Sequence, residues 1–526
     1  MTAVPETLTK ALAAMRADYL ADKNSQFVRR RTGLPPQGGS ADYHNRRENL
    51  YYDRIEKARD MDRNDAIVGQ LTDRAVSNIV QEGFSLDIKT GDRFIDRDLM
   101  HRWEHFANSP ENCDLAGELV FSDFESAIMR AIHMDGDCGV SGTFEGHLQF
   151  LEAHSIRNDS PTDPENTVLG VELNRFRKRI RYWIQTDKIN PNRSEKELAI
   201  PLDVRSANGV RQFFHAYSPK RTTLTRGVTA YAPIFELTGM LEDINFAKLV
   251  QQQIVSCFAI IREMAPGAGG GPPPSTSSNY GAQTTETTTT GDDRIVNGVA
   301  PGMEVKGLQG EKITGFSPNI PNAEYFEQYK LILQIISVNL GLPLCLALMD
   351  GSETNFSGWR GAVDEARKGF KKHQRNLIKR FHTPVYLWKL SQWIAEDSAL
   401  RTVGGLSGID LACHNWNAPT WPYIEPVKDA AGDLLRVRNG LISQRRLHAE
   451  RNHGDWDEIS TEIVEDNALA IVKARTKAQQ INNQFQGDNQ PVHWRELISL
   501  PTPDGVSVAI QPQNEGQSAL GGGNEE

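Results

Sequence analysis

From Asn64 to Val80 apolar residues recur at Ile67, Val68, Leu71, Ala75 and Ile79, a spacing that predicts an amphipathic helix with Asp65 near its start. Phe124, Ile128 and Ile132 predict a second helix from Phe121 to Met134. The period then changes. CGVSGTFEG, LQFLEAHSI, VLGVELNRF, IRYWIQT and VRQFFHAYS are short β-rich runs parted by Gly, Asn, Asp and Pro, so residues 138–218 read as a mainly antiparallel sheet region. Helix returns at Pro233 and is expected to run unbroken to Glu263, a rod of roughly 45 Å at about 1.5 Å per residue.

Residues 264–317 interrupt that rod. APGAGGGPPPSTSSNYGAQTTETTTTGDD is low-complexity sequence, too poor in apolar side chains to pack a core. RIVNGVAPGMEVKGL after it supplies two short strands. A second apolar helix follows, opened by Pro321 and Asn322, with a stripe of Tyr325, Phe326, Tyr329, Ile332, Ile336 and Leu340, and it stops at Gly341. Two long helices thus flank a small polar insertion, like a stalk with a head. Beyond the short polar stretch MDGSETNFSGW a long helix is predicted from about Ser357 to the neighbourhood of Thr383, bent or restarted by Pro384. Trp359, Val363, Phe370, Leu377 and Phe381 form its apolar stripe. Helices over 428–448 and 455–480 follow, and the last forty residues, rich in Gln, Asn, Gly and Glu, read as disordered. Residues 1–60 are polar, an extended or helical arm.

At 526 residues the chain holds several domains, and a hydrophobic share of 39% is that of an ordinary globular protein. A net charge of −10 argues against a protein that simply coats nucleic acid. Cys113, Cys138, Cys257, Cys345 and Cys413 contain no CxxC pair, so they read as reduced thiols rather than a zinc ribbon or disulfide framework. The N-terminal stretch carries charges throughout and lacks the apolar centre of a secretory leader. Residues 331–349 approach the length of a membrane span, but Gln334, Ser337, Asn339, Gly341 and Pro343 interrupt them, and a buried helix followed by a turn is the better reading.

Catalytic chemistry is sparse. GxxxxGK[ST] is absent, and GAGGGPPP lacks both the lysine and the backbone N–H groups of a phosphate cradle. His133, Asp135 and Asp137 in HMDGDCG have a spacing that suits a divalent metal, yet a helix-to-strand turn explains the same residues. His448 and His453 do not share a helix face. No cofactor and no metal site is therefore expected. The basic run Arg360, Arg367, Lys368, Lys371, Lys372, Arg375, Lys379 and Arg380 outnumbers Asp364 and Glu365, and Asp364–Lys368 and Glu365–Lys368 pairing accounts for only part of it. The excess suits phosphates or the carboxylates of a neighbouring subunit, and the sequence leaves both open.

Four segments in order carry a resemblance. RIEKARDMDRNDAIVGQLTDRAVSNIVQEGFSL (54–86), FHAYSPKRTTLTRGVTAYAPIFELTGMLEDI (214–244), IISVNLGLPLCLALMDGSETNFSGWRGAVDEARKGFKKHQ (335–374), and WPYIEPVKDAAG with GLISQRRLHAERNHGDWDE together resemble the lambda-type portal proteins of tailed bacteriophages. The third is the closest match; the Thr- and Pro-rich insert at 264–294 has no counterpart in the family pattern. The resemblance implies an α+β portal-type subunit: N-terminal arm and wing (1–230), first stem helix (231–263), small α/β clip (264–317), second stem helix (318–341), tunnel loop (342–356), long kinked helix (357–400), return segment to the wing (401–437), helical crown (438–485) and disordered tail (486–526).

It further implies a non-enzymatic homo-oligomeric ring, usually of twelve subunits, at one capsid vertex of the virion, assembled in the host cytoplasm. Such a ring passes double-stranded DNA without sequence specificity, docks the terminase large subunit, contacts major capsid or scaffolding protein, and later binds a head-completion or adaptor protein, with no membrane involved. Met349, Asp350, Ser352, Glu353, Thr354 and Asn355 become the DNA-facing tunnel loop. B-DNA carries a negative charge about every 1.7 Å, so a constriction lined with cations would hold it, whereas Asp350 and Glu353 would let phosphates slide. The alternative is a metal-dependent nuclease or other DNA-processing packaging enzyme built on Asp135 and Asp137.

Overall fold

The computed structural model describes residues 39–45, 47–157, 164–185, 198–256, 260–263, 284–287, 293–296, 312–315, 323–352, 355–406, 408–422, 426–451, 456–484 and 491–498. The chain divides into two units, one comprising residues 1–84 and 88–416, the other residues 85–87 and 417–526.

The first unit begins with helices α1 (Glu48–Asn64), α2 (Val68–Val80), α3 (Arg93–Ala107) and α4 (Phe121–Met134). The apolar stripes read from the sequence are the buried faces: Leu71, Ala75 and Ile79 of α2, and Phe124, Ile128 and Ile132 of α4. Asp65 caps α2 by accepting N–H bonds from Ile67 at 2.8 Å and Val68 at 3.1 Å. Two antiparallel sheets follow. One is three-stranded, with β1 (Asp137–Gly142) between β2 (Leu148–Glu152) and the later β7 (Phe213–Tyr217). The other runs in sequence order through β3 (Thr167–Val168), β4 (Val171–Leu173), β5 (Arg179–Ile184) and β6 (Ile200–Asp203), with a bulge at Glu172/Leu173. Leu151, Ile156, Val171, Tyr182, Ile184 and Phe213 join both sheets in one core, where Tyr182 stacks on Phe213 with ring centroids 4.0 Å apart.

Helix α5 (Phe235–Ser256) ends at Ser256 rather than running to Glu263: residues Ile260–Glu263 form strand β8. The β-branched Ile260 and Ile261 suit that strand, and its ladder partner is supplied from far along the chain. Within the insertion, β9 (Thr284–Thr287) pairs with β10 (Asp293–Val296), and β11 (Lys312–Gly315) pairs antiparallel with β8. The described part of the insertion is thus strand, and the rest of the low-complexity run lies outside the described residues. Helix α6 (Ala323–Asn339) packs on α5: Tyr325 donates its hydroxyl to Asn245 Oδ1 at 2.9 Å, and Lys248 Nζ sits 5.0 Å from the Tyr325 ring centre. Among the described residues no helix is long and apolar enough to cross a membrane.

A short helix α7 (Leu344–Leu348) occupies part of the stretch expected to be loop. Helix α8 (Phe356–Leu377) then runs into a π-helical turn, Ile378–His382, before α9 (Thr383–Glu396). Pro384 accounts for the π-turn, because its ring lacks an N–H and would collide with the carbonyl four residues back in a regular helix. Phe381 stacks on Phe121 at 5.1 Å there, and the buried His382 Nε2 lies 2.6 Å from Glu125 Oε1.

The second unit contains α10 (Pro426–Arg438), α11 (Gln444–Arg451) and α12 (Trp456–Gln484). The single helix expected over 428–448 is instead two. Gly440 at φ +69° lets Leu441 N donate to Arg436 O at 2.9 Å, the return bond that closes a helix C-terminus. Asp433 holds the pair together through Arg451 at 2.7 Å. Part of the stretch expected to be disordered is ordered: Asn482 exchanges two hydrogen bonds with Val492, and Arg475 lies 5.0 Å from the Trp494 ring. The remainder of that tail lies outside the described residues.

Candidate functional site

The stretch between α7 and α8 is built by three local devices. Met349 closes α7 in the left-handed region at φ +54° and is 75% exposed. Asp350 Oδ1 accepts the Ser352 N–H at 2.8 Å, an Asx turn that lowers the Asp350 carboxyl below its ordinary value. Asn355 caps α8, its Oδ1 accepting from Gly358 N at 2.7 Å. Asp350, Ser352 and Asn355 are exposed, whereas Glu353 and Thr354 lie outside the described residues. Apolar surface accompanies the acid: besides Met349, Leu348 and Phe356 are exposed.

The basic residues of α8 do not act as one group. Lys368 pairs with Glu365, one of its two expected partners, while the other, Asp364, pairs with Arg367 at 3.4 Å. Arg360 is half-buried. Lys371, Lys372, Arg375 and Lys379 are exposed. Arg380 turns inward, its guanidinium 3.9 Å from the Tyr217 ring centre. The opposite face of α8 is clamped to the body, with the buried Gln374 donating to Ile79 O at 2.9 Å and Asn376 donating to Tyr217 O at 3.0 Å.

The sheet region contains a buried polar node that the sequence alone does not assemble. Arg226 is 0% exposed, and all five of its N–H donors are used. Nε and Nη2 donate to the two oxygens of Asp137 at 2.7 and 2.9 Å. Nη1 donates to Ile156 O at 2.9 Å and Leu169 O at 2.8 Å, and Nη2 also donates to Ala153 O at 2.7 Å. Asp137 further accepts from Gly227 N at 2.7 Å and faces His215 Nε2 at 3.0 Å. Burial alone would raise the Asp137 carboxyl, but Arg226 and His215 outweigh it and hold the group well below the usual carboxylate range. Burial lowers His215 to about 4, so the ring is neutral at pH 7.

The node ties the sheet to the roots of both long helices. Gly136, at φ +103°, lies so close to the backbone of residues 227–229 that a Cβ would stand 2.6 Å from Val228 N. Just beyond, Ala230 N donates to His133 O at 2.9 Å, and Ala230 O accepts from Asn339 at the end of α6 at 2.7 Å. Tyr231 shares a hydrogen bond with Thr72, and α5 starts four residues on, at Phe235. His215, Arg226 and Gly227 lie in the family-like segment 214–244, but nothing local in its polar, turn-rich run SPKRTTLTRG distinguishes Arg226 from Lys220 and Arg221.

The same geometry disfavours a nuclease built on Asp135 and Asp137. Asp137 is 0% exposed and saturated by Arg226, while Asp135, 2% exposed, is gripped by Arg59 through bonds of 3.0 and 2.6 Å. Burial raises the Asp135 carboxyl against the pull of Arg59. His133 is buried, with Nδ1 on Met129 O at 2.9 Å. Neither carboxylate has a free face for a cation, and no cluster of three metal-ligating side chains occurs among the described residues.

A family model described as phage portal protein, lambda family, matches residues 29–374. No curated protein matches the chain. Among solved structures, the neck of a native GTA particle computed with C12 symmetry aligns at a TM-score of 0.38 and 13% identity, covering 72% of this chain and 88% of that one. The neck of an empty GTA particle computed with C6 symmetry aligns at 0.36 and 14%, covering 73% and 88%. The virion of a native gene transfer agent particle aligns at 0.37 and 14%, covering 76% and 93%. Because the family model spans well over half of the sequence, from the polar arm through the basic helix, the chain belongs to the lambda family of phage portal proteins.

Proposed function

We propose that this structural portal protein assembles into a closed ring, twelvefold as the family resemblance implies, at one vertex of a capsid, and that double-stranded DNA enters and leaves through its centre. The observation that carries the reading is the family match over residues 29–374. The layout supports it. Helices α5 and α6 act as the stem, the strand pairs between them as the clip that meets the terminase large subunit and later a head-completion protein, and the two sheets with α1–α4 as the wing that meets capsid or scaffolding protein. Residues 342–356 form the tunnel loop, with Met349, Asp350 and Ser352 toward the DNA, α10 belongs to the return segment to the wing, and α11 and α12 form the crown. The subunit resides in the virion after assembly in the host cytoplasm.

The stem helices leave apolar side chains in solvent that a ring would cover: Phe246 is 69% exposed, Leu249 58%, Phe326 57% and Val338 63%. The role is mechanical and non-enzymatic. Electron microscopy of the purified chain tests it: closed rings with a central hole are expected. Their absence at every concentration, and also when capsid and scaffolding proteins are coexpressed, would remove the reading.

A further inference from the structure

Resting on the ring reading, we infer that the exposed cationic stripe of α8 and the π-turn that follows it is a subunit–subunit surface, and that its partner is the set of exposed carboxylates and apolar side chains on the stem helices of a second copy of this chain. Lys371, Lys372, Arg375 and Lys379 are all exposed and lie away from the buried stripe Val363, Ala366, Phe370, Gln374 and Leu377. From Lys371 to Lys379 the stripe is roughly 12 Å long at about 1.5 Å per residue. Among the described residues none of these four cations meets a carboxylate; Arg375 reaches only the carbonyl of Lys371 at 3.4 Å.

The complementary charges sit on the same subunit, equally unused. Glu242 and Asp243 of α5 and Glu327 of α6 are exposed, and among the described residues no cation pairs with them. They share those helices with the solvent-exposed Phe246, Leu249, Phe326 and Leu331. Exposed apolar side chains and carboxylates on the stem helices, and a cationic stripe elsewhere on the subunit, can make a head-to-tail pair of surfaces, the kind that closes into a ring when the rotation permits. DNA phosphate is the rival partner for the stripe, and two observations count against it. A chain of net charge −10 gains from intersubunit neutralisation. A ring would also multiply the four cations by its subunit number, and every phosphate contact adds counterion-release affinity that translocation must break at each step.

Charge reversal in the full-length protein tests the assignment, with ring population read by mass photometry and folding checked by thermal melting. Lys372→Glu with Arg375→Glu, or Glu242→Lys with Asp243→Lys, should each reduce rings at least about tenfold at unchanged melting temperature of the subunit. All four changes in one chain should restore them, which a misfolded variant would not do. Raising salt from about 0.1 M to about 1 M, where the screening length drops from about 10 Å to about 3 Å, should weaken wild-type rings more than the apolar contact alone predicts. Rings that survive either reversal, or a four-residue swap that fails to restore them, overturn the inference. Intact rings with reduced DNA retention overturn it in favour of phosphate. A wild type that never forms rings refutes the ring reading itself.

Discussion

Replacing Arg226 with methionine keeps the volume of the side chain and deletes its charge and five donors. Asp137 would remain 0% exposed, with only Gly227 N and His215 beside it. Breaking a buried ion pair by removing one partner costs about 3–5 kcal/mol. Of the three carbonyls that Arg226 serves, Ile156 O keeps the Tyr52 hydroxyl at 2.8 Å and Ala153 O keeps Ile156 N at 3.3 Å. Leu169 O is left without a donor among the described residues, adding about 1–3 kcal/mol. The floor is therefore about 4 kcal/mol, which in a unit of this size lowers the melting temperature by roughly 5–10 °C.

The pH dependence separates this cause from mere loss of packing. In the native protein the depressed Asp137 pKa contributes stability that is present above the unfolded value of about 3.9 and is lost only as pH falls through the folded value. In Arg226→Met the carboxyl is buried without its cation, so its folded pKa rises above the unfolded one. The penalty is then largest at neutral pH and shrinks on acidification. Melting followed by circular dichroism from neutral to mildly acidic pH should show the gap between variant and wild type narrowing. A loss of less than about 2 °C at neutral pH, or a gap that widens toward acid, would refute the reasoning.

His215, held at about 4 by burial, takes up a proton on unfolding as pH falls below about 6.5, so stability should decline between those values; His215→Gln should flatten that decline in urea titrations, and an unchanged slope would count against it. Gly136→Ala places a Cβ 2.6 Å from Val228 N at a φ of +103°, so a loss of roughly 3 kcal/mol or more is expected, read as lost soluble yield and a lowered melt. Asp350→Lys with Glu353→Lys puts cations where phosphates are proposed to pass, and single-particle packaging velocity should drop or stall; an unchanged velocity would show that the loop charge is irrelevant.

The elements that could be read from sequence are those whose cause is local. The stripe Leu71, Ala75, Ile79 is written within one helix, and the β-rich runs and turn residues of 138–218 are written within and between the strands, so both survive in the structure. The exposed Asx turn at Asp350 and the cap at Asn355 are likewise short-range chemistry. Where the reading failed, a distant partner decided. Residues 260–263 are strand because Lys312–Gly315 lies alongside them, and no pattern inside the run announces that neighbour. Asp137, legible as a candidate metal ligand, is instead a structural anchor because the fold brings Arg226 to it across 89 positions of sequence. Periodicity, turn chemistry and family motifs were set by the sequence itself, since each depends on neighbours a few residues away. Only the tertiary structure decided which charges are buried and paired and which are left exposed for another subunit, because desolvation and ion pairing depend on what the rest of the chain packs against them.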